Sequence, residues 1–202
     1  ISKISDIKLS ANWMGSPGKL QGNKDLFEAV ESVGMDLCPQ WNMTIPVGKD
    51  SLSMSTEWTK DNQKKSVNSP LSLIVSGFSP VKDTTIAVTP ELKNKVDSSL
   101  LFIDLAKGKQ RMGGSILAQI NNEVGGESPD VECVKEMPSF VHSIHTLLSL
   151  KKILAYHDRS DGGLITTLSE MSFAGRLGLN INLNSLITDE SEIVDLLFNE
   201  EL

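Results

Sequence analysis

Cysteine, basic charge and long apolar runs are all scarce in this chain of 202 residues. Its two cysteines, Cys38 and Cys133, lie far apart in sequence, so we expect reduced thiols in a cytoplasmic protein, with a disulfide as the less favoured alternative. No run of about 18 apolar residues occurs, which argues against a membrane-spanning helix. Lysine and arginine total 19 against 26 aspartates and glutamates, and the net charge of -7 argues against nucleic acid as the main partner.

Neither end of the sequence carries a signal that opens or closes a protein. The start, ISKISDIKLSANW, has no initiating Met and no basic segment followed by an apolar one. The end, LFNEEL, has no cap or turn signal. We therefore expect a piece of a longer chain without a secretory leader.

The first half of the chain mixes strand-like and helix-like patterns. Short apolar or alternating segments between glycine, proline or polar loops predict strands. They are residues 7–13, 43–47, 52–56 and 71–81. From Asp25 the apolar residues recur at helical spacing, which predicts a helix, whereas the polar residues 59–70 predict a surface hairpin loop.

The second half follows residues 83–97, a polar segment that predicts a connector between two domains. Helical spacing predicts helices from about Ser115, over 139–150 and over 164–175. Three apolar segments predict strands, namely 100–106, 153–156 and 181–187. Because strands and helices mix without regular βαβ alternation, the predicted fold class is α+β.

The segment YHDRSDGG, residues 156–163, directly precedes the helix predicted from Leu164. Asp158 and Asp161 offer the oxygen ligands that Mg²⁺ takes. Ser160 and the backbone N–H groups at the helix start could hold a phosphate, since the orphan donors and the helix dipole favour anions there. The alternative is a capped turn, with Ser160 or Asp161 as N-cap and the glycines required only by geometry.

A second polar segment, IPVGKDSLSM, spans residues 45–54. Lys49, Asp50 and Ser51 around one glycine could grip a phosphorylated substrate. The segment is not a Walker A loop, because the first glycine and its spacing are missing. The alternative is the start of a strand with a solvated Lys–Asp pair.

A third segment, KQRMGGS at residues 109–115, combines two cations with glycines before a helix. It could also face a phosphate, but a plain loop is favoured. His142 and His145 lie three residues apart on a predicted helix without a third ligand at zinc spacing, so we expect them to be surface or core histidines.

Four segments together resemble one stretch of the large single-chain phosphoribosylformylglycinamidine synthases, and they occur in the same order. They are KLSANWM, LCPQWNMTIPVGKDSLSM, SPLSLIVSGFSPV and ILAYHDRSDGGLITTLSEMSFAG. The resemblance implies part of an ATP-dependent ligase of purine biosynthesis with glutamine as amido donor. That enzyme converts formylglycinamide ribonucleotide, ATP and glutamine to formylglycinamidine ribonucleotide, ADP, phosphate and glutamate. The resemblance also implies that the fragment is inactive alone.

The same resemblance implies a fold like that of aminoimidazole ribonucleotide synthetase. Residues 1–94 correspond to most of a second-copy N-terminal α+β domain, and residues 95–202 to a truncated C-terminal α/β domain. The glutaminase domain would follow Leu202. The resemblance places no catalytic residue in this chain.

Site residues are carried over only where the motif matches. In the family, the first Asp of HDRSDGG binds Mg²⁺ and its Ser contacts a nucleotide, ATP or ADP. These positions are Asp158 and Ser160 here. Lys49, with Asp50 and Ser51, is the candidate for contact with the substrate or its phosphate.

Two rival functions stay open. One is another ATP-using relative of the same fold, such as a selenophosphate synthetase or a thiamine-phosphate kinase. The other is a non-catalytic half that holds a structural nucleotide and supports the active half. The expected partners are small-molecule substrates and the remaining domains of the parent chain. We also expect the fragment to form a homodimer through residues 1–94. Sheet edges exposed in a truncated second domain would further favour self-association.

Overall fold

A computed structural model describes residues 3–18 and 20–202. The chain divides into two compact units, one comprising residues up to 82 together with 134–145, and the other comprising 83–133 together with 146–202. The domains 1–94 and 95–202 rest on sequence resemblance and stay a prediction. Among the described residues, no helix combines the length and apolar character needed to cross a membrane.

The first unit contains a three-stranded sheet in the order β2-β1-β5. Its strands are β1 (Lys8–Met14), β2 (Thr44–Ser51) and β5 (Ser72–Phe78). β1 is parallel to β2 and antiparallel to β5. Parallel neighbours need a crossover connection. Here it contains helix α1 (Leu20–Val30), a π-helical segment (Glu31–Leu37) and the short helix α2 (Cys38–Gln40), so this helical run begins earlier than the predicted Asp25.

A separate hairpin pairs β3 (Ser55–Lys60) with β4 (Gln63–Asn68). Its two turn residues, Asp61 and Asn62, have φ angles of 53° and 59°, as a type I′ turn requires at both positions. The prediction of a hairpin loop over 59–70 was therefore too long, because β4 lies within it. Every residue of β4 is exposed, so the strand carries no apolar pattern that the sequence could reveal.

The core of the first unit lies against one face of β1. Ala11 and Trp13 are 1% and 9% exposed and share that face, because side chains alternate along a strand. The indole Nε1 of Trp41 donates to the Val134 carbonyl at 2.7 Å, which ties the 134–145 segment to this unit.

Four α-helices, joined by long loops, occur in the rest of the described chain. They are α3 (Ile116–Ile120), α4 (Met137–Ser149), α5 (Gly163–Gly175) and α6 (Ile193–Phe198). The helices predicted near Ser115, over 139–150 and over 164–175 are confirmed. Ser115 is the N-cap of α3, since its hydroxyl accepts from the Ala118 N–H at 3.2 Å.

The three strands predicted in the second half are wrong, since residues 100–106, 153–156 and 181–187 contain no strand. Two of these segments make an isolated backbone bond to a distant residue, from Tyr156 N to Thr89 O at 3.1 Å and from Leu105 N to Leu202 O at 3.0 Å. A strand needs a continuous ladder and a covered face, and Leu101 is 78% exposed. The α+β class nevertheless holds for the chain as a whole.

Candidate functional site

Helix α5 begins at two glycines that the backbone geometry requires. Gly162 and Gly163 have φ angles of 85° and 73°, in the left-handed region that favours glycine. A Cβ on Gly163 would lie 2.7 Å from the carbonyl oxygens of Leu197 and Asn199. A Cβ on Gly162 would collide with the Thr166 side chain. Glycine at position 163 therefore allows the loop to pack closely against the C-terminal end of α6 and against Asn199.

The loop before α5 turns its side chains alternately inward and outward. The His157 and Arg159 side chains are only 13% and 6% exposed, whereas that of Asp158 is 76% exposed and Ser160 is also exposed. Behind Asp158, the buried Thr167 hydroxyl lies 3.2 Å from the backbone carbonyl of Asp158 and 3.2 Å from that of Gly163, and it can donate to either. The loop thus presents Asp158 and Ser160 to solvent from a backbone held by the core.

His157 anchors the loop to α5. Its Nε2 lies 2.6 Å from the Glu170 carboxylate. Among the residues that the structure describes, its buried Nδ1 has no hydrogen-bond partner, and the Asp158 carboxylate is 3.6 Å away. The inward histidine thus fixes the loop on one side.

Arg159 anchors the loop on the other side, through the end of the chain. Its Nε donates to the Glu201 carbonyl at 2.6 Å, and one terminal nitrogen donates to the Leu202 carbonyl at 3.1 Å. The same nitrogen lies 3.4 Å from the Asp104 carboxylate. The guanidinium also stacks 5.2 Å above the Phe102 ring.

Glu201 joins this anchor to the segment KQRMGGS. Its carboxylate is fully buried and accepts two side-chain bonds from Arg111, Nε to Oε1 at 2.7 Å and a terminal nitrogen to Oε2 at 2.8 Å. The backbone N–H of Arg111 also donates to Oε1, at 3.0 Å. This fork-on-fork geometry is the strongest arrangement for an arginine–carboxylate pair.

Glu200 makes a second connection between the same two loops. One carboxylate oxygen, Oε1, accepts from the backbone N–H of Gly162 and from that of Ile116, both at 2.8 Å. The Gly162 donor, which the sequence interpretation reserved for a phosphate, is therefore bonded to a protein carboxylate. The carboxylate satisfies one orphan donor at the start of each of two helices.

The pairing of Glu201 with Arg111 favours the charged form of both side chains. Burial opposes ionisation of Glu201, but the hydrogen bonds from Arg111 outweigh it and lower the Glu201 pKa. The bond to Glu201 likewise raises the pKa of Arg111. Burial lowers the pKa of Arg159, and the Asp104 and Glu201 charges oppose that effect. Burial, and then the Asp158 charge, raises the pKa of Tyr156.

The outward carboxylate fits a partial role in binding Mg²⁺. The ion commonly takes one or two protein carboxylates and completes its octahedron with water and substrate phosphates. Over residues 3–18 and 20–202, no group of three or more His, Cys, Asp or Glu side chains is arranged to hold a metal ion. Among these described residues, the Asp158 carboxylate has the chemistry of a single Mg²⁺ ligand and is not part of a complete metal site.

The polar groups of the segment KQRMGGS are bonded to other residues of the protein. Glu132 pairs with Lys109 at 2.7 Å and with Arg111 at 2.9 Å. The backbone N–H groups of Gly113 and Gly114 donate to carbonyls of the 124–127 turn, both at 2.7 Å. These contacts favour the plain-loop interpretation over a phosphate cradle.

The candidates on β2 are divided between the two faces of the sheet. The Lys49 ammonium donates to the Ser51 hydroxyl at 2.7 Å, and that hydroxyl lies 3.3 Å from the Asn12 amide oxygen on β1. Asp50, between them in sequence, points to the opposite face, on the side of Trp13. Lys49 and Ser51 can therefore act together, whereas Asp50 cannot join them on that face.

Sequence reasoning missed Asn12, Glu200 and Glu201. Asn12 stands in a segment that predicted only a strand, and its link to Ser51 depends on the parallel register of β1 and β2. The two glutamates stand in the segment LFNEEL, which carries no cap or turn signal and to which the sequence assigned no role. The one available signal was the run FNEEL directly after an apolar helical repeat, which places acids beside a core helix.

Comparisons with known proteins cover most of the chain. Residues 1–80 match the family model described as the FGAR-AT PurM_N-like domain, and residues 105–201 match that of the AIR synthase related protein, C-terminal domain. A phosphoribosylformylglycinamidine synthase of Schizosaccharomyces pombe is 49% identical over 205 residues. That match covers 100% of this chain and 15% of the relative. The chain is a segment that contains a PurM_N-like domain and an AIR synthase related C-terminal domain, and it belongs to the phosphoribosylformylglycinamidine synthase family.

Proposed function

We propose that this chain is part of an ATP-dependent carbon–nitrogen ligase with glutamine as amido donor. The reaction converts formylglycinamide ribonucleotide, ATP and glutamine to formylglycinamidine ribonucleotide, ADP, phosphate and glutamate. The observation that carries the proposal is the 49% identity to a phosphoribosylformylglycinamidine synthase across the whole chain. Because the chain spans 15% of that relative, the complete activity needs further domains, including a glutaminase.

The chemistry of this reaction asks the protein mainly for positioning. Phosphoryl transfer from ATP activates the amide oxygen of the substrate, and ammonia released from glutamine then displaces phosphate. Such reactions depend on holding the phosphates in line and stabilising their charge. The outward pair Asp158 and Ser160 is suited to holding a metal-bridged polyphosphate, and the Lys49–Ser51 pair to contacting an anionic substrate.

Within this proposal Asp158 is a Mg²⁺ ligand and Ser160 a nucleotide contact. Mg²⁺ supplies charge neutralisation between phosphate oxygens when it is bound. The loop contributes an exposed carboxylate whose backbone carbonyl lies within reach of the Thr167 hydroxyl and whose neighbours Arg159 and His157 turn their side chains inward. This rigid backing supports the assignment, because precise sites are held by side chains locked in the core.

The assignment is tested by replacing Asp158 with Asn in the full-length gene product. We expect affinity for ADP in the presence of Mg²⁺ to fall by at least about tenfold, because loss of a metal ligand should cost no less than loss of one of its outer supports. Calorimetric titration with and without Mg²⁺ measures the change. Stability without ligand should stay within about 0.5 kcal/mol of wild type, since the side chain is exposed.

The matched control is Asp97→Asn, which removes an exposed carboxylate outside the loop. It should bind MgADP as wild type does. Equal affinities in wild type and Asp158→Asn would remove Asp158 from the metal site. Absence of any nucleotide binding by the wild-type protein would remove the nucleotide site altogether.

A second candidate function is retention of a tightly bound structural nucleotide by a non-catalytic half. It is supported by the small donor set at the loop, where Asp158 is not part of a larger ligand group among the described residues. A nucleotide that persists through purification and does not turn over during glutamine-dependent synthesis would favour this function. Exchange of that nucleotide at the rate of turnover would favour the catalytic one.

The remaining proposals concern setting and assembly. We propose that the protein acts in the cytoplasm in purine synthesis. Its principal partners would be the remaining domains of its parent chain. Residues 1–94 would form one synthetase domain and 95–202 the start of the next. Self-association through 1–94 is tested by light scattering across a concentration series, where a constant monomer mass would refute it.

A further inference from the structure

The strongest unassigned feature is the acidic pair at residues 200 and 201. Glu200 joins the two loops through its carboxylate alone, whereas Glu201 joins them through its carboxylate on one side and its backbone carbonyl on the other. Glu201 accepts from Arg111 while its carbonyl accepts from Arg159. Glu200 accepts from Ile116 and Gly162 through one oxygen. Two consecutive residues therefore fasten the same two loops together.

We propose that Glu200 and Glu201 are positioning residues that set the outward presentation of Asp158 and Ser160 and thereby the affinity for a Mg²⁺–nucleotide. The inference rests on the proposed nucleotide role of this loop. It adds residues that touch neither metal nor nucleotide and that act through the backbone. It also joins the segment KQRMGGS to the site as a support, since its arginine completes the buried pair.

Glu200 is the more informative of the two residues. Its bond to the Gly162 N–H lies two residues after Ser160 and directly before α5. The Gly162 carbonyl is bonded as well, to the Thr166 hydroxyl at 3.1 Å. With both backbone groups of Gly162 held, the left-handed turn cannot rotate without breaking a bond, and the direction of the preceding residues is fixed.

The position of Glu200 also defines where an anion can bind. Its carboxylate occupies the Gly162 donor that opens α5, so a phosphate at the loop must approach from the side of Asp158 and Ser160. A ligand that took the Gly162 N–H would have to displace Glu200. The two arrangements predict opposite effects of removing the carboxylate, since displacement would give tighter nucleotide binding and positioning gives weaker binding.

The test compares Glu200→Ala with Glu200→Gln in the full-length gene product, with MgADP as the probe. Alanine removes the acceptor, whereas glutamine keeps a carbonyl oxygen that can accept from both N–H groups. We expect Glu200→Ala to weaken MgADP binding by about tenfold, as outer supports of a metal site commonly do, and Glu200→Gln to restore affinity to within about threefold of wild type. If Glu200 had only a structural role, the variants would have a lower melting temperature. At temperatures well below melting, their MgADP affinities would then be equal to that of wild type.

Glu190→Ala provides the control, since Glu190 is an exposed carboxylate just before α6. It should leave affinity unchanged. Hydrogen exchange supplies a ligand-independent measurement, in which Glu200→Ala should lose protection at Gly162 and Ile116 while α4 keeps its protection.

Each outcome decides a different point. Lost protection with unchanged MgADP affinity would overturn the positioning role, and tighter binding by Glu200→Ala would show displacement in its place. Retained protection would show that the two bonds do not hold the loop. A wild-type protein that fails to bind MgADP would overturn both the nucleotide site and the role of Glu200 in it. If wild type binds MgADP and Glu200→Ala binds it as tightly, the nucleotide site stands and only the role of Glu200 is overturned.

Discussion

The loop before α5 and the polar face of β2 are both candidate ligand sites, but they are held in different ways. The loop is fixed by side chains that reach more than thirty residues along the chain, including the Arg159 and Glu200 contacts. On β2, Lys49 and Ser51 are held by the backbone register with β1 and by one short chain of polar contacts. Support by buried charges makes the loop sensitive to residues that would never touch a ligand.

This difference separates stability from binding in the two regions. At the loop, changes in the buried supports should affect folding and binding together. On β2, where Lys49 is exposed and the sheet is held by backbone bonds, a change in the side chain should affect binding alone. This contrast would be refuted if a buried support of the loop affected binding alone, or if an exposed side chain on β2 affected folding as well as binding.

The largest effect is expected for Glu201→Ala. Removing a fully buried carboxylate leaves Arg111 without its main partner, and breaking a buried pair commonly costs about 3 to 5 kcal/mol. We therefore expect a loss of about 3 kcal/mol in the free energy of unfolding, measured by urea denaturation. The double variant Arg111→Met with Glu201→Met should recover part of that loss, because two apolar groups leave no unpaired charge.

The lowered pKa of Glu201 also predicts how the stability of the wild type changes with pH. The pKa of folded Glu201 is lowered, so its contribution to stability is present above the unfolded pKa and is lost as the pH falls through the folded pKa. Wild type should therefore lose more stability on acidification than Arg111→Met with Glu201→Met. Parallel stability curves for the two proteins would show that Glu201 contributes nothing through ionisation.

Gly163→Ala should have the next largest effect. A Cβ there meets two carbonyl oxygens at 2.7 Å and must adopt a φ of 73°, and the two costs together suggest about 2 to 3 kcal/mol. Thermal unfolding should show it. Gly178→Ala is the comparison, since a Cβ there meets nothing within 4 Å, and it should be neutral or slightly stabilising. Equal effects of the two changes would mean that α6 does not press on the start of α5.

The sequence predicted some secondary-structure elements and missed others. Periodicity and turn chemistry were enough for β1, β5 and the long helices, because each of these elements carries its own pattern of apolar residues or caps. Strand β4 was hidden because all six of its residues are exposed, which leaves no alternation to detect. Local patterns therefore predict elements that bury a face, and they fail for a ribbon held only by its backbone.

The opposite error occurred in residues 100–106, which are apolar enough to predict a buried strand. Apolar composition indicates that a segment seeks cover, but a strand also needs a partner, and Leu101 remains 78% exposed. The site was predicted in the same partial way. Asp158 and Ser160 followed from the motif, whereas Glu200 and Glu201 act across 38 and 90 residues of sequence, a separation that no local pattern reports.

The smallest effect on stability is expected for Lys49→Ala. The ammonium is exposed and its bond to Ser51 is at the surface, so the free energy of unfolding should change by no more than about 0.5 kcal/mol. If the β2 face contacts the substrate phosphate, the KM for formylglycinamide ribonucleotide in the full-length enzyme should rise about tenfold or more, because a charged hydrogen bond is lost. Lys64→Ala, on the exposed strand β4, should change neither quantity. A Lys49→Ala enzyme with normal KM and kcat would remove this face from the substrate site and leave the loop before α5 as the one candidate supported by its geometry.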